Sequence, residues 1–257
     1  MALEIANITF YRIDQCGYYR FGEDIPSFGS AGELLKEVRE WSKDKSLVET
    51  KLYEQAGELL PVYLLDIKEL DGSWMLTMWN QVPSTKQNVA SVMANSSVGQ
   101  AAVVMNDIKE GSIPGFATYF WIHPEQNIFA SLRFQHLVTA QKAMQEYLEA
   151  FLEVASSHVI SVPAAGDEAG IEIKGYCENR IDVDEEAKRV YPRFRTKMVR
   201  RPGLHDLILK KFDQVTRVER AAVLNLDRPE DLDVWQKFLR WTKITQPQVR
   251  PDRMRIN

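Results

Sequence analysis

The sequence predicts an α+β fold, an antiparallel sheet with helices packed on one face, and leaves open a division into two subdomains. Three observations predict it. Short runs rich in β-branched and aromatic residues recur from the N-terminus to about residue 199. Turn signals such as Asp71-Gly72 and His123-Pro124 separate neighbouring runs at hairpin distance. Two segments, Leu34–Trp41 and Leu137–Val154, carry their apolar residues at helical spacing instead.

Taken in order, Leu3, Ile5, Ile8, Phe10 and Ile13 fit a long opening strand, with a shift in face near Asn7 that reads as a bulge. Cys16–Gly29 is glycine-rich and reads as an irregular loop. Ser30 and Glu33 form a capping-box signature, and the helix it opens buries Leu34, Leu35, Val38 and Trp41. A meander follows, with strands expected at Leu47–Glu54, Leu59–Ile67 and Trp74–Val82. Ser84–Gln100, small and polar, reads as a loose helix, and Ala101–Met105 as a short buried strand. Phe116–Ile122 and Ile128–Phe134, joined by a tight turn, form the clearest hairpin. The clearest helix is Leu137–Val154, with Leu137, Ala140, Met144, Tyr147, Leu148, Phe151 and Leu152 on one stripe and Glu146, Glu149 and Glu153 on the other. Ser161–Gly170 reads as a linker or hairpin loop. Strands are expected at Ile171–Tyr176 and Phe194–Val199, and helices at Leu204–Phe212 and Glu230–Trp241. Trp41, Trp74, Trp79, Leu148 and Phe151 are expected in the core.

Composition narrows the class. The chain has 257 residues, 45% of them hydrophobic and 26% charged, enough to bury a sizeable core in one or two domains. Its two cysteines, Cys16 and Cys177, cannot build a disulfide framework or a zinc site. The opening MALEIANITF has no signal-peptide form, and no run approaches the ~20 apolar residues of a membrane span. A cytoplasmic protein without a membrane partner is expected. The net charge of −4 conceals an asymmetry. Residues 1–179 hold 13 Lys and Arg against 24 Asp and Glu, a balance of −11, whereas residues 180–257 hold 19 against 12, a balance of +7. The expected organisation is an acidic part over residues 1–156 and a basic part over 157–257, which meets a polyanion or lies against the acidic part.

The sequence lacks phosphate-loop, dinucleotide, nucleophile-elbow and zinc-protease motifs, and no cofactor or metal ion is expected. His123, His136, His158 and His205 have no ligand spacing. One constellation has the form of a metal-dependent nuclease of the PD-(D/E)xK kind. Asp66-Ile-Lys68 ends an apolar strand, and Glu49 or Glu54 stands on the expected neighbouring one. Glu172-Ile-Lys174 with Asp167 is a second, weaker copy of the pattern. The candidate nucleic-acid site is the acid-free run Ala187–Gly203, holding Lys188, Arg189, Arg193, Arg195, Lys197, Arg200 and Arg201, with Lys210 and Lys211 following. In an extended chain Arg193, Arg195 and Lys197 share one face at ~7 Å spacing, a line of cations for a phosphate backbone. Tyr191 and Phe194 are interleaved aromatics. The competing reading of this run is a basic strand that blunts a sheet edge.

In layout, the hairpin of Gly115–Phe134, the helix Leu137–Val154 and the passage IDVDEEAKRVYPRFRTKMVRR resemble the exclusion proteins that prophages carry against other phages, of the RexA-like and Tin-like kinds. The resemblance covers about residues 100–220. It implies a cytoplasmic bacterial defence protein that binds DNA or a phage protein acting on DNA. The leading expectation is a non-enzymatic binding protein of phage exclusion that engages DNA or a phage DNA-replication protein. A metal-dependent nuclease using Asp66 and Lys68 is the alternative, and an oligomeric scaffold or adaptor without nucleic-acid contact is a third reading.

Overall fold

The computed structural model describes residues 6–54, 59–83, 90–104, 110–134, 140–163, 171–179, 187–199 and 210. The chain divides into two compact units, Met1–Val199 and Arg200–Asn257. The first holds every described strand: β1 (Asn7–Arg20), β2 (Val62–Leu70), β3 (Ser73–Gln81), β4 (Ser91–Met93), β5 (Ser112–His123), β6 (Ile128–Arg133), β7 (Val159–Pro163), β8 (Ile171–Tyr176) and β9 (Val190–Met198). Its helices are α1 (Ala31–Ser42) and α2 (Gln141–Val154). Of the second unit only Lys210 is described, helical and exposed. The helices expected at residues 204–212 and 230–241 otherwise lie outside the described residues.

The main sheet runs β2-β3-β5-β6-β1-β9, with β4 paired to the start of β5, and all its pairings are antiparallel. Local chemistry explains the hairpins. Asp71 and Gly72 both take positive φ (48° and 74°), as a two-residue turn between right-twisted strands requires. Asn127, at φ 51°, ends the turn between β5 and β6. Bulges bend the sheet, one between Ile13 and Gln15 on β1 and one between Leu64 and Asp66 on β2. The shift in face expected near Asn7 therefore falls at Asp14. Gly17, at φ 119°, lets residues 27–29 return along β1, where Tyr18 N–H donates to Phe28 O at 2.9 Å. A Cβ on Gly17 would stand 2.6 Å from that same oxygen.

The α+β expectation of helices packed on one face is overturned. The chain is mostly antiparallel sheet, curled into a half-barrel, with two helices among the described residues. Curling brings the two edge strands toward one another, and α2 touches both β9 and β2. Met144, Tyr147, Leu148 and Phe151 of that helix are wholly buried, in one core with Tyr18, Leu64, Leu76, Phe120, Phe129 and Phe194. Tyr147 OH donates to Thr50 O at 2.8 Å, and Thr50 Oγ1 accepts from Leu64 N–H on β2 at 3.0 Å. An amphipathic stripe shows that a helix buries one side. It does not show whether that side meets a flat sheet or closes a curled one.

Other local expectations also fail: Cys16–Arg20, expected in a loop, belongs to β1, and residues 101–103 are neither strand nor buried. Leu47–Glu54 is not a strand: Leu47–Thr50 is a 3₁₀ turn whose Ser46–Glu49 capping box fixes it. Residues 90–100 are not helical but hold β4 and turns, and Val92 joins Leu47, Tyr63, Leu65, Trp79 and Ile113 in a second, smaller core on the outer face. Of the expected core residues, Trp74, Trp79, Leu148 and Phe151 are buried and Trp41 is partly so. No helix among the described residues is long and apolar enough to cross a membrane.

Candidate nucleic-acid interface

Alternation positions the site. Along β9, Val190, Pro192 and Phe194 point into the core while Tyr191, Arg193, Arg195 and Lys197 point outward, so the three cations share one face. Pairing with β1 extends that face. Lys197 stands opposite Arg12, Arg195 opposite Gln15 and Arg193 opposite Gly17. The bulge at Asp14 keeps Arg12 and Gln15 on one side of the sheet despite their odd spacing. A shallow depression of about 690 Å³ lies beside them, bounded by Arg12, Gln15, Asp24, Asn127 and Arg195.

The cations are not equivalent. Arg195 is engaged by Glu149 of α2, a carboxylate that also accepts from Phe194 N–H at 3.1 Å. Arg12 holds Asp14 at 2.6 Å in an exposed pair. Arg193 and Lys197 form no ion pair among the described residues. Lys188 and Arg189 sit exposed in the 3₁₀ turn that leads into β9. Arg200, Arg201 and Lys211 lie outside the described residues, and Lys210 belongs to the second unit.

β9 is an edge strand of the sheet, and side chains of α2 meet its free backbone groups. Backbone groups of β9 at even positions face away from β1. Pro192 has no N–H to offer, Phe194 N–H is taken by Glu149, and Thr196 N–H donates to Gln145 Oε1 at 3.2 Å. Polar side chains of α2 therefore cap the free edge. Of the outward cations of β9, Arg195 is held by Glu149, while Arg193 and Lys197 form no ion pair among the described residues.

The nuclease constellation is dispersed. Asp66 and Lys68 share a face, as expected, and bond each other at 2.5 Å. Glu49 is committed to its capping box, accepting from Ser46 N–H at 2.8 Å, and Glu54 pairs with Lys51. Glu172 pairs with Lys174, and Asp167 lies outside the described residues. Among the described residues no group of three His, Cys, Asp or Glu side chains is placed to hold a metal ion.

Sequence reasoning missed Arg12 and the aromatic residues beside it on the outer face. The opening strand does alternate, but only its pairing with β9, some 180 residues later, makes Arg12 part of the row. No protein-family model, curated protein or solved structure matches the chain.

Proposed function

We propose that this chain is a non-enzymatic, cytoplasmic nucleic-acid-binding protein, acting in phage exclusion, that grips DNA with the outward cations of β9. The observation that carries the reading is the row Arg193–Arg195–Lys197 with Arg12 alongside, two members of which form no ion pair among the described residues. Successive members lie ~7 Å apart, a spacing suited to phosphates. The exclusion role rests on the layout of residues 100–220. The +7 balance of residues 180–257 supports a polyanionic partner.

The test is the salt dependence of binding. Arg193→Ala with Lys197→Ala removes two phosphate contacts, so the slope of log affinity against log salt should flatten by about two units, with affinity falling for every DNA sequence alike. Both positions are at the surface, and circular dichroism should be unchanged. A double variant that binds DNA with unaltered affinity and slope contradicts the proposal.

A further inference from the structure

The outer face of the main sheet is unevenly covered. Over β2, β3 and the start of β5 it is roofed by residues 90–104 and the 3₁₀ turn at Leu47, which form the second core. Over β6 and β1 no described residue roofs it. There Ile8 is 54% exposed, Phe10 47%, Val199 49% and Phe134 42%, and Tyr119, Trp121 and Leu132 are partly so. The registers order these side chains into rows. One row runs Tyr119, Leu132, Ile8, with Phe134 packed edge-on to Tyr119 at 5.5 Å. The next runs Trp121, Ala130, Phe10, and Val199 joins it through the bond from its N–H to Phe10 O. The third runs His123, Ile128, Arg12, Lys197. The aromatic rows and the cation row are thus adjacent on a single face, with Phe10 and Arg12 two residues apart.

We infer that the nucleic acid this face receives is single-stranded, its bases stacking on Phe10 and the rings around it while its phosphates meet Arg12, Lys197 and Arg193. The inference rests on the nucleic-acid reading above and names the substrate class. Charge complementarity and chemistry select it. The cations call for a polyanion, and the exposed rings call for flat apolar partners within the same ligand. An unpaired strand offers both, because each base has a free π-face and stacking tolerates any sequence. A duplex keeps its base faces hidden in the stack and would leave Phe10 and Phe134 without a role.

The experiment uses the full chain and three labelled probes of equal length: oligothymidylate, a duplex, and an abasic single strand. Anisotropy titrations give affinity and salt slope for each. The expected order has oligothymidylate tightest. Phe10→Ala should weaken oligothymidylate binding about tenfold without altering its salt slope, Phe10→Tyr should restore it, and the abasic strand should bind wild type and Phe10→Ala alike. Phe10 is half exposed, so its loss leaves the core intact. Equal affinity for duplex and oligothymidylate, with no effect of Phe10→Ala, overturns the single-strand inference and leaves the nucleic-acid reading standing. Failure to bind any probe overturns both. A concentration-dependent dimer dissolved by Phe10→Ala, with no probe bound, assigns the face to a second copy and also overturns both.

Discussion

Cys16 sits on the inner side of β1 opposite Phe194, and Cys177 follows β8, partly exposed. Burial, with Glu33 adding to it, pushes the Cys16 thiol well above the usual cysteine range. A buried, protonated thiol is a poor nucleophile. In the native protein a disulfide reagent at pH 8 should therefore label one thiol rapidly, Cys177, and reach Cys16 only on unfolding. Two fast thiols, or labelling retained in Cys177→Ser, would contradict the placement of Cys16. The same scale shows how tightly the interior is tied. Tyr18 OH donates to Leu152 O at 2.8 Å and lies 2.8 Å from Ser156 Oγ, which in turn accepts from His158 N–H. The His158 ring lies between Cys177 O, 2.9 Å from Nδ1, and Glu37, 3.4 Å from Nε2. His158, one of four histidines without ligand spacing, thus joins α1 to the end of β8. No motif announces that role, because its partners lie 19 and 121 residues away in sequence.

At the scale of elements, the seam between β9 and α2 separates two jobs of one carboxylate. Glu149 accepts from a backbone N–H at the sheet edge and neutralises Arg195, and its side chain is only 14% exposed. Glu149→Gln keeps an acceptor for Phe194 N–H but releases the guanidinium. Nucleic-acid affinity should rise and the salt slope steepen by about one unit, with stability nearly unchanged because the partner is half exposed. Glu149→Ala instead strands the N–H, and urea unfolding should show a loss of about 1–2 kcal/mol. A Glu149→Gln variant with wild-type slope would mean that Arg195 does not reach the ligand. The seam also marks what a sequence can show. The stripe of Leu148, Phe151 and Leu152, the Asp71-Gly72 turn and the alternation of β9 are local patterns, and each was legible. The Leu47–Thr50 turn was misread because four residues carry too little periodicity to distinguish a strand from a 3₁₀ turn. The partner of β9 was not legible at all, since pairing with β1 is a matter of register across most of the chain.

At the scale of the molecule, closure of the half-barrel depends on a strand that comes last in the sheet. β1 leads into β6 on one side and β9 on the other, so the first and last strands of the sheet in sequence are neighbours in space. The candidate site inherits this arrangement. Its cation run was legible because seven basic residues fall between Lys188 and Arg201. Its aromatic half was not, because Phe10 and Trp121 reach that run only through the folded sheet. Removal of β9 would uncover Cys16 and Tyr18, take away Phe194, and leave α2 without one of the two strands it bridges. Each large apolar side chain so uncovered forfeits about 1.5–3 kcal/mol, against a total stability of about 5–15 kcal/mol. A chain ending at Arg189 should therefore lack a cooperative thermal transition. A chain ending at Val199 keeps every strand of the sheet, and because residues 200–257 form a separate compact unit it should melt as cooperatively as the whole. Calorimetry of the two truncations decides the matter. A cooperative transition for the shorter chain would show that β9 is an accessory to the half-barrel. Loss of cooperativity in the longer one would show that the first unit needs the second in order to fold.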